Sequence, residues 1–366
     1  MPPSSDEPAA RGCIYPQSNA TARPIADELQ ALAANRSKCT SFYLDTVEDM
    51  SHEGDDHHQG LARSHRLSDG SIYFFLTHSE TDEGDQGIVS QFRYAGPTDG
   101  EHVLETSQPT VAPMEQLLRI DEQHPSDIEF LPDVNRADAG YVFITNEFVE
   151  RRVAVYRWTQ GEDLVLLDHI FQGFPAGIPD EFLLQPGGGI LSPRAGPNFI
   201  FLDRVGAYYY LGIASDHWGW GQLMRARDID LFPGCRPGAM DVSAFRAAGM
   251  FPYPVLHRTG ASQVKLVRDA DAEWFLLAFH SDPVTDPRGT DYVDLYGVQF
   301  EPFAISYLLD TVHVSFAPGD TGFASTGTHY VEGSGRLLLL SSYRWSEDEG
   351  PGDSSYVSRV DELPSA

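Results

Sequence analysis

The chain has 366 residues, with 25 Lys and Arg against 54 Asp and Glu, a formal net charge of −29. A field of that sign repels phosphate backbones and anionic lipid, which sets aside nucleic-acid binding and membrane docking. No apolar run approaches the ~18 residues that span a bilayer. Three scattered cysteines, Cys13, Cys39 and Cys235, form no readable disulfide framework or cysteine zinc site.

The first residues, MPPSSDEPAARGC, lack the basic and apolar regions of a leader. A cytoplasmic protein is expected, or a secreted one if a leader has been removed. IADELQALAANR (Ile25–Arg36) has apolar residues at 25, 29 and 32, the spacing of a short amphipathic helix. We read residues 1–38 as an arm carrying this helix, and 39–366 as one domain.

From there the chain repeats itself. Five segments share one plan, a polar approach, a strand, a turn and an apolar strand ending in a polar residue. They begin near residues 57, 124, 195, 260 and 325. Their first core apolar residues are Leu61, Ile128, Phe199, Val264 and Tyr330, at steps of 67, 71, 65 and 66. Further strand-like runs follow within the units: GIVSQFRY and HVLETS, RRVAVYRW and LVLLDHI, DYVDLYGVQF. Short strands in five near-equal units predict an all-β fold, a five-bladed β-propeller of about 67 residues per blade. The fifth unit lacks a strand, and SFYLDTV (Ser41–Val47) is expected to supply it and close the ring. The long segment Arg227–Arg258 is either a lid or a packed side decoration.

A propeller makes equivalent repeat positions into neighbours around one channel. Before the core apolar residue these positions hold Gly60, Asp127, Asn198, Gln263 and His329; at the end of the second strand they hold His78, Asn146, Asp216, His280 and Tyr343. Six of the 13 histidines fall at such mouth positions: His57, His58, His78, His124, His280 and His329. Imidazoles concentrated there serve as metal ligands or proton carriers.

Three chemistries fit these residue types. His124, His329, Asp127 and Gln263 offer nitrogen and oxygen ligands for a divalent ion such as Zn, Mn or Fe, and acidic turns such as Ser281–Asp291 offer carboxylates for Ca. His58, His78 and Tyr141, with Arg157, suit metal-free proton abstraction. Asp127, Asp216 and Glu147 are candidates for a glycosidase carboxylate pair. Asn146, Asn198, Asp216, His280 and Tyr343 would hold substrate, with Trp218 and Trp220 of ASDHWGWGQL as a stacking platform.

HHQGLAR, HPSDIEF, AGPNFIFLDRVGAYYYLGIA, ASQVKLV with DYVDLYGV, and FASTGTHYVEGSGRLLLLSS together resemble a loosely characterised group of bacterial and fungal propeller proteins, over about residues 57–345. More remotely, the His/His/Tyr/Arg set is similar to that of propeller polysaccharide lyases, such as ulvan lyases and rhamnose–glucuronate lyases. That resemblance implies proton abstraction from a uronate by His or Tyr, with His and Arg nearby, and falls on His58, His78, Tyr141 and Arg157. Those lyases have seven blades and are exported; five blades are typical of several glycoside hydrolase families.

The expectation is an enzyme acting on a small-molecule, carbohydrate or polyhydroxylated ligand at the channel mouth, by β-elimination or hydrolysis. A ligand-binding scaffold propeller and an intracellular cyclase or isomerase are the alternatives. The charge of −29 weighs against an anionic polymer unless the mouth is locally positive.

Overall fold

The computed structural model describes residues 15–17, 20–34, 40–45, 58–79, 87–95, 110–120, 125–133, 135–146, 152–171, 199–214, 220–236, 238–252, 263–282, 290–314, 326–346 and 356–365. These form a five-bladed β-propeller.

Blade 1 comprises β2 (His58–Arg63), β3 (Ile72–Ser79), β4 (Gly87–Tyr94) and β5 (Thr110–Ile120). Blade 2 comprises β6 (Pro125–Pro132), β7 (Ala139–Asn146), β8 (Arg152–Thr159) and β9 (Val165–Phe171). Blade 3 comprises β10 (Phe199–Val205), β11 (Tyr208–Ala214), β12 (Trp220–Arg227) and β13 (Arg246–Pro252). Blade 4 comprises β14 (Gln263–Arg268), β15 (Trp274–Asp282), β16 (Thr290–Phe300) and β17 (Phe303–Val314). Blade 5 comprises β18 (Thr326–Val331), β19 (Leu337–Ser346), β20 (Tyr356–Pro364) and, from the start of the chain, β1 (Thr40–Asp45).

The expected closing strand is therefore in place. β1 pairs antiparallel with β20, Phe42 opposite Val360, and parallel with β5, Phe42 opposite Thr110. The second pairing joins the outer strands of blades 5 and 1 into one eight-stranded sheet. The fourth strand of blade 1 is β5; HVLETS lies outside the described residues. β5 has 11 residues, long enough to pair with both β4 and β1.

Alternation along each strand sends successive side chains to opposite faces, so apolar layers fill the gaps between blades. Between blades 1 and 2, Phe75 stacks on Phe130 at 5.3 Å, and Trp158 meets both rings edge-on. The Trp158 indole N–H donates to Gln91 Oε1 at 2.9 Å, which satisfies its one polar atom. Burying each such ring contributes about 1.5–3 kcal/mol.

The helix α1 (Ile25–Ala34) packs on the layer between blades 4 and 5, burying Ile25, Leu29 and Leu32 beside Val312 and Val314. Its apolar spacing of four and three residues is what puts those side chains on one stripe. Glu28 points inward as well and accepts from the Leu337 N–H at 2.8 Å. Among the described residues no helix is long and apolar enough to cross a membrane.

The stretch between β12 and β13 is a packed decoration, not a lid, and the segment then supplies the fourth strand of blade 3. It holds a one-turn helix, α2 (Asp228–Leu231), and 3-10 turns at Pro233–Cys235 and Val242–Ala244, then β13. Leu231, Phe232, Val242 and Phe245 are buried in the layer between blades 2 and 3, with Tyr141 and Tyr209. Cys235, in the first of these turns, is disulfide-bonded.

Candidate active site at the channel axis

The inner strands β2, β6, β10, β14 and β18 touch in ring order around the axis. All five start at the same end of the ring. The connections leading into them span 12, 4, 27, 10 and 11 residues. At the opposite end the inner hairpins are joined by 8, 6, 2, 5 and 5 residues; the tightest, between β10 and β11, is Gly206 and Ala207 alone, with Gly206 at φ +62°. A tight turn of this kind favours glycine, which takes the left-handed conformation without a side-chain clash.

Period 2 governs which residues meet near the axis. In SDIEF, Asp127 and Glu129 fall on the face of β6 opposite to Ile128 and Phe130. Ile128 and Phe130 fill the layer toward blade 1. In QVKLV, Val264 and Leu266 fill the layer toward blade 3, leaving Gln263 and Lys265 on the other face of β14.

Lys265 reaches across the axis from blade 4. Its ammonium donates to Asp127 Oδ1 at 2.7 Å, to the Ile128 carbonyl at 3.1 Å and to the Ile200 carbonyl at 3.2 Å. Glu129 Oε1 lies 3.2 Å from the same nitrogen. Asp127 is saturated, since Oδ1 also accepts from the Ile128 N–H and Oδ2 from the Ile200 N–H at 2.9 Å. Side-chain exposure is 1% for Lys265, 0% for Asp127 and 12% for Glu129. Glu129 is thus the one reachable group of the three.

Burial raises the carboxyl of Glu129 to about 7; Lys265 opposes this, while Asp127 and Asp203 add to it. Burial also pushes Asp127 up, against the pull of Lys265 and its backbone donors. The two carboxylates hold Lys265 above its ordinary value, against the cost of burying it.

His329 on β18 is 6% exposed, and neither ring nitrogen has a hydrogen-bond partner among the described residues. Burial, with Lys265 nearby, lowers it to about 3, so the ring is neutral at physiological pH. Gln263 is fully used: its Nε2 donates to the Gln59 carbonyl at 2.7 Å and its Oε1 accepts from the Gly327 N–H at 3.1 Å. It ties blades 1, 4 and 5 together. Gly60 lets blades 1 and 2 meet, because a Cβ there would lie 2.3 Å from the Ser126 carbonyl oxygen.

Asp127, Gln263, His329 and Gly60 do gather at the axis, as the repeat alignment expects. They do not form an open ligand set, since Asp127 and Gln263 are occupied. Among the described residues no group of three or more His, Cys, Asp or Glu could hold a metal ion. His58 and His78 are cross-strand partners at the entry end of blade 1, as their spacing of 20 suggests. Tyr141 and Arg157 are also cross-strand partners, but Tyr141 pairs with Leu131 toward the far end of blade 2. Five residues separate Tyr141 from Asn146 at the entry end, about 17 Å of strand.

The reading of Tyr141 as a channel base is therefore corrected. Its ring is 1% exposed, 5.7 Å from Phe232, and burial with nearby Asp133 pushes its hydroxyl well above the usual range. Arg157, half-buried beside Gly238, stays with it at that end. His280 lies inside blade 4 with its Nε2 3.3 Å from Asp294 Oδ2, and Asp294 accepts in turn from Thr311. Asn146 is buried at the entry end of β7. Trp220 and Tyr343 lie on β12 and β19, their side chains outside the description. His57, His124, Glu147, Asn198, Asp216 and Trp218 lie outside the described residues.

Glu129 and Lys265 were not singled out by the sequence analysis. Their signal is parity: each stands two residues from a ring position already identified, Asp127 or Gln263, inside an otherwise apolar strand.

No family model matches the chain, and no curated protein matches it. Several solved structures share its overall course. A hypothetical protein from Leishmania major has a TM-score of 0.44 at 14% identity, covering 91% of this chain and 92% of that one. A GH43_1 enzyme from Xanthomonas citri has a TM-score of 0.41 at 11% identity, with 92% of each chain covered. A Bacillus subtilis levansucrase variant in complex with oligosaccharides has a TM-score of 0.45 at 8% identity, covering 95% and 94%. Likeness at this level transfers no chemistry.

Proposed function

We propose that the protein is an enzyme acting on a neutral polyhydroxylated ligand, a carbohydrate, in the channel, with Glu129 as the proton-transferring group. The observation that carries this reading is Glu129 itself: a carboxyl held near 7 beside an ammonium, at the axis of the ring and with one side reachable. A group poised there is half protonated at working pH, which suits both giving and taking a proton. Hydrolysis of a glycosidic bond uses one such acid to protonate the departing oxygen and a second carboxylate to take the proton of the attacking water or to bond the sugar carbon; Glu129 would fill the first role.

Carboxylate chemistry fits better than the histidine-based β-elimination expected from the lyase resemblance. Tyr141 is buried in the layer between blades 2 and 3, and His329 stays neutral. A uronate would also meet two axial carboxylates and a net charge of −29, whereas a neutral sugar would not be repelled. Asp127 is too buried to touch substrate; it positions Lys265 and keeps Glu129 protonatable.

The test is a panel of neutral aryl glycosides beside uronate-containing oligosaccharides, assayed with wild type and Glu129→Gln. The reading expects hydrolysis of a neutral glycoside that falls by about 10²–10⁴ in the variant, with folding unchanged. Undiminished turnover in Glu129→Gln, an unsaturated elimination product, or binding without any turnover would each overturn it.

A further inference from the structure

Cys235 is disulfide-bonded, and the chain has two other cysteines, Cys13 and Cys39. Bridged cysteines have Cα atoms about 4.4–6.8 Å apart, so the chain next to each candidate decides which one can reach. Cys235 follows α2 in the decoration of blade 3, and its N–H donates to the Phe232 carbonyl at 3.1 Å.

The ring excludes Cys39. Its chain neighbour Thr40 opens β1 and pairs with Glu362 of β20, on the outer side of blade 5. The inner strands touch in ring order, so blade 3 adjoins blades 2 and 4 and lies across the ring from the seam between blades 5 and 1.

Cys13 stands two residues before Tyr15, and two residues of chain span at most about 7 Å. Tyr15 packs in the same layer as Phe232, with the Arg204 guanidinium 5.2 Å from its ring. Arg204 is paired in turn with Asp228, the first residue of α2, at 2.5 Å. Pro16 is buried, and its carbonyl accepts from the Tyr209 hydroxyl at 2.6 Å. The Tyr209 ring lies 5.3 Å from that of Phe232. The start of the described arm is thus fixed beside the turn that carries Cys235.

From there the arm crosses the hairpin ends of the next two blades. The Ala22 N–H donates to the Arg268 carbonyl of blade 4 at 2.8 Å, and the Arg23 N–H to the Gly335 carbonyl of blade 5 at 2.8 Å. Helix α1 and strand β1 then lead to the seam between blades 5 and 1. We infer that Cys13 and Cys235 are joined, and that their bond closes a covalent circuit around the propeller. The circuit runs from blade 3 along the arm past blades 4 and 5, into β1, and back through blades 1, 2 and 3. The bond forms when the two thiols give up two protons and two electrons to a disulfide donor such as oxidised glutathione, which leaves as two thiols. A structural disulfide suits an oxidising compartment, the secreted alternative of the sequence reading.

Peptide mapping of the full chain tests this. The protein is equilibrated with oxidised and reduced glutathione, its remaining thiols are blocked with iodoacetamide, and it is digested without reductant for mass spectrometry. One cross-linked pair joining Cys13 to Cys235 is expected, with Cys39 alkylated. Thermal melts give a second reading. Reduction with a phosphine should lower the wild-type Tm by about 3–5 °C, and Cys13→Ser or Cys235→Ser should do the same. The phosphine should lower neither of these variants further, whereas Cys39→Ser should behave as wild type. A cross-link containing Cys39, three cysteines each free or carrying glutathione, or a phosphine that leaves the wild-type melt unmoved would overturn the inference.

Discussion

Lys265 of blade 4 and Asp127 of blade 2 meet across the propeller axis at 2.7 Å, both almost wholly buried. A buried pair of this kind costs desolvation that its attraction offsets only when the remaining donors and acceptors are also satisfied. Here they are: Asp127 accepts from two backbone N–H groups besides the ammonium, and Lys265 donates to two carbonyls besides Asp127. The pair is a cross-ring brace, and it shapes the protonation of Glu129 beside it.

Breaking the brace from one side should therefore be worse than removing it. Lys265→Met leaves two buried carboxyls without their cation and is expected to cost about 3–5 kcal/mol. Adding Asp127→Asn should recover part of that loss. Urea unfolding at neutral pH measures both; equal or greater loss in the double variant would contradict the pairing.

Glu129 gives stability a pH dependence of definite sign. Its folded value of about 7 lies above the ordinary 4.5, so between those values the folded state binds more protons than the unfolded one. Stability falls as pH rises through that window. Glu129→Gln removes the effect, so it should gain on wild type from pH 4.5 upward, by at most about 3 kcal/mol at pH 8. A constant difference between the two across pH 4–8 would sink this assignment.

His329 acts in the opposite direction. Its folded value of about 3 lies below the ordinary 6.5, so the unfolded chain takes up the proton first and stability is lost as pH falls from 6.5 toward 3. His329→Met keeps the volume without the titration. At pH 4 it should outperform wild type by about 3 kcal/mol more than it does at pH 7. Thermal melts at the two values decide it, and parallel shifts would mean that His329 is not the acid-sensitive group.

Gly60→Ala tests how closely blades 1 and 2 approach. Its Cβ would lie 2.3 Å from the Ser126 carbonyl oxygen and 2.6 Å from Thr77 Oγ1, so backbone must move. A loss of about 1–3 kcal/mol is expected. Gly249→Ala, where a Cβ would meet nothing within 4 Å, should stay within about 0.5 kcal/mol of wild type. Similar losses at both glycines would indicate a general helix-or-strand preference, not a clash.

Much of the fold was legible because each blade opens with the same hairpin, and five near-equal steps count the blades directly. The closing strand followed from a deficit, a fifth unit one strand short. Part of the axial cluster followed from repeat alignment, which placed Asp127, Gln263 and His329 together. The alignment stopped one turn of the alternation too early. Glu129 and Lys265 share the face of Asp127 and Gln263, and a charge inside an apolar strand of a ring is more informative than a histidine in an entry loop. Tyr141 was chosen with Arg157 by residue type and by the lyase resemblance, and neither says which face of the blade a side chain takes. The partners of a cross-ring contact lie 138 residues apart, and no local pattern links Asp127 to Lys265.

The most direct test is the titration of Glu129 itself. Side-chain carboxyl ¹³C shifts in protein labelled at glutamate, followed from pH 3 to 9, would be compared with Glu129→Gln to assign the resonance. One glutamate with a midpoint near 7, missing from the variant, is the result expected. A Glu129 resonance that titrates near the ordinary 4.5 would contradict the proton-transferring role assigned to it.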